Sequence, residues 1–153
     1  MLKLLQTIFA RTPPSTEIQD ESRLLTIDIA YAALLVEVIK SDHEIDERES
    51  EKLLEILNNK LSSSYSDLSE IIELAEEKSD EATSLYEFTR LINNEYDYQQ
   101  KVKLIENMWT IAFADDELDK YEEYLIRKIS ELTYVSHSDF IKSKLIVKSK
   151  QEL

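Results

Sequence analysis

Apolar residues recur at intervals of three and four positions along most of this chain, and no other feature constrains its fold as strongly. This period is typical of helices that bury one face, and the clearest run is Leu24, Ile27, Tyr31, Leu34, Leu35 and Val38. It predicts helices over about 18–41, 47–60, 65–79, 84–95, 98–114, 120–133 and 137–150. No stretch alternates between apolar and polar residues at every second position, so we expect no strands. The sequence therefore predicts an all-α fold of seven to eight helices.

The 153 residues include no glycine and no cysteine, and the only histidines are His43 and His137. Phosphate-cradling loops, dinucleotide fingerprints and nucleophile elbows need glycine for close backbone approach or strained turns. The absence of cysteine excludes thiol catalysis, disulfides and thiolate metal sites. We therefore expect a protein that is not an enzyme.

The charge balance is strongly acidic, with 18 basic and 32 acidic residues and a net charge of −14. Such a chain repels phosphate backbones, so no nucleic-acid partner is expected. Cations and basic proteins are the partners that this charge favours. The lack of cysteine fits a cytoplasmic location, and no run approaches the ~18–20 apolar residues that cross a membrane.

Two consecutive prolines, Pro13 and Pro14, interrupt the helical pattern near the start of the chain. Because they remove backbone donors and clash with the preceding turn, we divide the chain into two parts. Residues 1–16 are an amphipathic segment with a proline linker, and residues 17–153 are the helical domain. Residues 1–10 either pack on the bundle or fray, or they make weak membrane-surface contact through Leu2, Leu5, Ile8 and Phe9.

The chain resembles itself at an offset of 73 positions, where residues 41–49 fall on residues 114–122. The shared pattern is Asp-x-Glu-[Ile/Leu]-Asp-x-x-Glu, and the identical pairs are Asp42/Asp115, Glu44/Glu117, Asp46/Asp119 and Glu49/Glu122. With a one-residue shift, Ser64–Leu68 also matches Ser136–Phe140. We predict a duplicated three-helix unit with pseudo-two-fold symmetry. Five tyrosines are expected along the seam between the halves: Tyr86, Tyr96, Tyr98, Tyr121 and Tyr134.

Part of each acidic motif has a structural interpretation. Asp46 with Glu49, and Asp119 with Glu122, have the spacing of a capping box at a helix start. Their negative charges also favour the first turn of a helix because of its dipole. The apolar residue just before each Asp is placed to act as a hydrophobic staple.

The caps leave the remaining acids of both loops unexplained. Residues 41–51 and residues 115–123 each carry a net charge of −5, so 20 residues hold −10 of the total. Crowded carboxylates need either good solvation or a cation, and oxygen ligands suit Ca²⁺, Mg²⁺ or Mn²⁺. Each loop starts like an EF-hand, with acids at positions 1, 3 and 5, but lacks its glycine and its bidentate glutamate. Both a divalent-cation site and a solvated acidic surface therefore remain open.

These motifs, together with residues 85–93 and 134–141, resemble the TerB-like (tellurite-resistance protein B-like) family of bacteria over about residues 24–147. The resemblance implies an all-helical, pseudo-symmetric domain of bacterial stress proteins that are discussed as metal-binding and have no established catalysis. It implies an acidic site of Asp42, Asp46 and Glu49 with Asp115, Asp119 and Glu122. The family has glycine after the first Asp of each loop, where this chain has His43 and Asp116, and Asp116 can add a ligand.

The function we expect is a non-enzymatic, cytoplasmic TerB-like protein that binds divalent cations in the response to metal or oxidative stress. The candidate ligands are Asp42, Glu44, Asp46, Glu49, Asp115, Asp116, Glu117, Asp119 and Glu122. The alternative is a protein-interaction module that presents its acidic face to a basic protein partner, without a physiological metal.

Overall fold

The structure is a computed structural model that describes residues 16–41, 47–60, 68–114 and 118–151, with side chains from Thr26 onward. These residues form helices and no strand, which confirms the all-α fold. The helices are α1 (Thr16–Lys40), α2 (Glu47–Lys60), α3 (Leu68–Glu81), α4 (Tyr86–Glu95), α5 (Tyr98–Ala112), α6 (Lys120–Leu132) and α7 (His137–Gln151). Residues 1–15 lie outside the described ranges, so the N-terminal segment and the domain division stay predictions.

Helix α1 lies at the centre of the molecule and packs against α2, α3, α4, α5 and α6. Every side chain from Ile29 to Val36 is buried, including three alanines that allow the neighbouring helices to approach closely. The apolar period predicted a helix with one buried face. In the structure α1 is instead covered on all sides over these two turns, as expected of a core helix.

Helix α5 is the second core element and packs against α1, α2, α6 and α7. Its Trp109 is fully buried and stacks on Phe113 with 5.8 Å between ring centroids. Phe140 of α7 contacts the same indole at 5.2 Å between ring centroids. This aromatic cluster joins α5 to α7 at the end of α5 from which the second acidic loop departs.

The helix contacts of the two halves correspond. The pairs α1–α3, α1–α2 and α2–α3 have counterparts in α5–α7, α5–α6 and α6–α7. Across the halves, α1 packs on α5, and the contact of α1 with α6 matches that of α5 with α2. This pairing is the one that a duplicated three-helix unit predicts, and the duplication itself stays a prediction.

Four of the five tyrosines expected at the seam lie on the surface, so that expectation is wrong for them. The exposed fractions are 62% for Tyr86, 40% for Tyr98, 57% for Tyr121 and 76% for Tyr134. The reason in α6 is that Glu122, Ile126 and Ile129 form its buried face, which turns Tyr121 outward. Only Tyr96 is half-buried.

Helix α6 ends in a turn that glycine usually provides, but this chain has none. Tyr134 takes the left-handed conformation at φ 62°. The amide of Tyr134 donates to the carbonyl of Glu131 at 3.1 Å, and the amide of Val135 donates to that of Ser130 at 2.9 Å. These two bonds define a Schellman motif with tyrosine in the glycine position.

None of the helices in the described part of the chain is long and apolar enough to cross a membrane.

Candidate functional site

The two acidic loops connect α1 to α2 and α5 to α6, and their helices meet at one surface. A groove of about 370 Å³ is lined by Glu37, Lys40 and Ser41 at the end of α1 and by Tyr121, Tyr124 and Leu125 at the start of α6. The end of α1, where the first loop begins, therefore lies beside the start of α6, where the second loop ends. This groove is the candidate functional region.

The end of α1 is anchored to α3 by polar side chains. Ser79, which is buried, donates a hydrogen bond from its hydroxyl to Oε1 of Glu37. Lys40 donates from Nζ to Ser79 Oγ at 3.1 Å and pairs with Asp80 Oδ1 at 2.7 Å. Ser41 closes the helix by donating from Oγ to the carbonyl of Val38 at 2.7 Å. These contacts set the position from which the first loop departs.

The start of α6 is set by Asp119, which caps the helix as predicted. Its backbone is extended at φ −78° and ψ 140°, and its carboxylate accepts a hydrogen bond from the amide of Tyr121 at 2.6 Å. Leu118, the apolar residue before the cap, is half-buried against the core. The second loop therefore ends at an ordered helix start with one carboxylate oxygen already used for capping.

Glu49 and Glu122, the last acids of the two motifs, share an unusual environment. Each is the third residue of its helix, α2 or α6, and each is 0% exposed. Both residues take part in polar or electrostatic interactions within the protein. The first turn of a helix favours negative charge, which helps to hold these side chains inside. The repeat in the sequence is thus matched by a repeat in burial.

The next acid along α6 has a different role. Glu123 is partly exposed. Its Oε1 lies 3.3 Å from Nζ of Lys144 and 3.6 Å from Nη2 of Arg127. Lys144 also lies 5.5 Å from the centroid of the Trp109 ring. Glu123 therefore ties α6 to α7, while Glu122 points into the core.

Three of the nine candidate ligands, Glu49, Asp119 and Glu122, belong to the described residues. The other six lie outside them: Asp42, Glu44, Asp46, Asp115, Asp116 and Glu117. Within the described ranges no group of three or more metal-ligating side chains is found. The donors of the candidate set are carboxylate oxygens only, which fits Ca²⁺, Mg²⁺ or Mn²⁺ and no softer ion. The cation site itself stays a prediction.

Comparison with known proteins agrees with the resemblance seen in the sequence. The family model described as "Tellurite resistance protein TerB" matches residues 28–145. The matched range begins within α1, ends within α7 and includes both acidic loops and both buried glutamates. No curated protein and no solved structure matches the chain significantly.

Proposed function

This chain belongs to the tellurite resistance protein TerB family. On that premise we propose that it is a non-enzymatic, cytoplasmic protein that acts in the response to metal or oxidative stress. It binds divalent cations at its two acidic loops. The observation that carries the proposal is the equivalent burial of Glu49 and Glu122 at the ends of the two loops. If the two loops were only a solvated acidic surface, both of these carboxylates would be expected to face water.

The chemistry of the proposed site follows from carboxylate oxygens. The first loop would contribute Asp42, Glu44, Asp46 and Glu49, and the second would contribute Asp115, Asp116, Glu117, Asp119 and Glu122. A carboxylate has two oxygens, so capping by Oδ1 leaves Oδ2 of Asp119 for another partner. A divalent cation bound there would relieve the repulsion among these charges.

Thermal melting of the purified full chain tests the proposal. Millimolar Ca²⁺ or Mn²⁺ is expected to raise the Tm by mass action, since an ion at 100 times its Kd adds about 2.7 kcal/mol to the free energy of unfolding. The double variant Asp42→Asn with Asp115→Asn is expected to lose the rise.

The matched control for that experiment is Glu76→Gln with Glu131→Gln, which removes two exposed charges from α3 and α6, away from the loops. It is expected to keep the full rise in Tm. The proposal is wrong if no divalent cation shifts the Tm of the natural chain, or if both double variants respond equally.

A second candidate function is the protein-interaction module, and one observation favours it. Tyr121 and Tyr124 are exposed on α6 and line the same groove as Glu37 and Lys40. Exposed aromatic rings suit lysine and arginine side chains through cation–π contact, and the acidic residues at the start of α2 add ion pairing.

This candidate predicts salt-sensitive binding of a basic protein that persists in EDTA. Charge reversal at Glu47 and Glu51 should weaken the binding, and so should Tyr121→Ala with Tyr124→Ala. Binding that requires a divalent cation would instead favour the cation-binding proposal.

A further inference from the structure

A second cleft of about 370 Å³ shares no lining residue with the groove beside the acidic loops. It lies between α2 and α5, with Tyr31 of α1 as its most deeply buried lining residue. The polar walls are formed by Asn59, Lys60, Gln100, Lys103 and Asn107. Its volume falls within the range of about 300–1,000 Å³ that is usual for sites that bind small molecules.

The charge of this cleft differs from that of the rest of the protein. The chain as a whole carries −14, whereas the described lining residues include two lysines and no acid. Nζ of Lys103 lies 3.5 Å from Oε2 of Glu106, in an i,i+3 pair. The Lys103 side chain is 63% exposed, and such surface pairs contribute only about 0–1 kcal/mol. Lys103 can therefore turn to a ligand with little loss.

Lys60 is an exposed residue whose ammonium lies over two aromatic rings. Its Nζ lies 4.5 Å from the centroid of the Tyr31 ring and 4.8 Å from that of the Tyr96 ring. The centroids of the two rings are 6.0 Å apart, and the ring planes are tilted by 54° to each other. Burial lowers the pKa of Lys60, while the charge of Asp28 opposes that effect. A partly dehydrated ammonium gains more from an anionic partner than a fully hydrated surface lysine does.

Hydrogen bonds orient two carboxamides of the cleft, those of Gln100 and Asn107. Gln100 uses its carbonyl oxygen to accept from the amide of Asp97 at 2.9 Å, which leaves its NH₂ group to face other partners. Asn107 donates from Nδ2 to the hydroxyl of Tyr31, so both side chains are oriented. The ring of Tyr96 lies next to that of Tyr31, and its buried hydroxyl has no hydrogen-bond partner among the described residues.

From these contacts we propose that the cleft between α2 and α5 binds a small organic anion, with Lys60 and Lys103 contacting its charged oxygens and Asn59 and Gln100 contacting its polar body. The charged group is a carboxylate or a phosphate monoester, since both present anionic oxygens to cationic and amide donors. This cleft is proposed to bind an anion, whereas the acidic loops are proposed to bind cations. The anion site does not depend on the loops.

Titration of the ¹⁵N-labelled full chain with citrate or with glycerol 3-phosphate tests the proposal. The titrations are run at constant ionic strength, without divalent cations, and are followed by two-dimensional NMR. We expect saturable shifts of the side-chain amides of Asn59, Gln100 and Asn107 with at least one probe. The probe that saturates first identifies the preferred charged group.

Three variants make the test specific. Lys60→Gln with Lys103→Gln is expected to weaken binding at least tenfold, and Lys60→Arg with Lys103→Arg is expected to keep it. The control Lys128→Gln with Lys148→Gln, two exposed lysines on α6 and α7, is expected to bind like the natural chain. The proposal is overturned if neither probe gives saturable shifts, or if the Lys60/Lys103 glutamine variant binds as tightly as the control.

Discussion

Glu49 and Glu122 lie 73 positions apart in the chain, yet each is the third residue of its helix and each is completely withdrawn from solvent. A buried ionisable group is costly unless the protein around it supplies compensating interactions, and both residues take part in polar or electrostatic interactions. The pair therefore contributes to stability as well as to the proposed cation site, and these two roles can be separated by experiment.

Replacing either buried glutamate by alanine is expected to lower the free energy of unfolding by about 2–3 kcal/mol, because a cavity forms and polar contacts are lost. Glutamine keeps the volume of the side chain and should lower the free energy of unfolding by roughly half as much. Urea unfolding without metal measures both effects. The control Glu131→Ala, on the exposed face of α6, should stay within about 0.5 kcal/mol of the natural chain. Equal values for Glu122→Ala and Glu131→Ala would contradict the prediction.

Tyr134 is the next target, because its left-handed backbone at φ 62° is one that a side chain disfavours. Substitution of Tyr134 by glycine is expected to raise the free energy of unfolding by about 1 kcal/mol through relief of this strain. Tyr134→Asn should give part of the gain, since asparagine tolerates the same conformation. Tyr134→Ala, which removes the exposed ring and keeps the strain, should give none. A stabilisation by alanine as large as that by glycine would show that the ring, and not the backbone, was responsible.

The centre of α1 has no room for larger side chains, since Ala33 is fully buried in a helix that contacts five others. Ala33→Leu is expected to destabilise the protein by about 1–3 kcal/mol through overpacking. Thermal and urea unfolding measure this change. Ser149→Leu, at an exposed position of α7, is the matched small-to-large control and should change stability by less than about 0.5 kcal/mol. A neutral Ala33→Leu would mean that α1 is not covered on all sides.

The alkaline limit of stability is expected to depend on Tyr31. Burial raises the pKa of Tyr31 to about 12, while the hydrogen bond from Asn107 lowers it and the charge of Glu106 raises it. A tyrosine in the unfolded chain titrates near 10. The folded state therefore holds the Tyr31 proton more tightly than the unfolded state does. This difference contributes on the order of 3 kcal/mol to the free energy of unfolding. The contribution is complete below pH 10 and is lost as the pH rises from 10 to 12.

Urea unfolding between pH 9 and pH 12 measures this dependence. Between pH 10 and pH 12 the natural chain should lose stability more steeply than Tyr31→Phe, in which that ionisation is absent. Tyr134→Phe alters an exposed tyrosine and should follow the natural chain. Parallel pH profiles for the natural chain and Tyr31→Phe would disprove the assignment.

Much of the local structure could be predicted from the sequence. The predicted helix over 47–60 has the bounds of α2, and the other described helices begin and end within three residues of their predicted limits. Asp119 caps α6 as its position before an acidic first turn indicates. The capping box of Asp97 and Gln100 at the start of α5 was not among the predictions, although it follows the same short-range rule. Helix period and caps depend on residues within four positions of each other, so a sequence pattern is enough to indicate them.

Other features were decided by the tertiary structure alone. The sequence could not show that α1 is buried on all sides, that Tyr121 faces outward while Glu122 faces the core, or that Lys60 lies over Tyr31 and Tyr96. The backbone hydrogen bonds of a helix form within the helix, so its existence is a local property of the chain. Which of its faces is hidden from water depends on the helices that other parts of the chain bring against it.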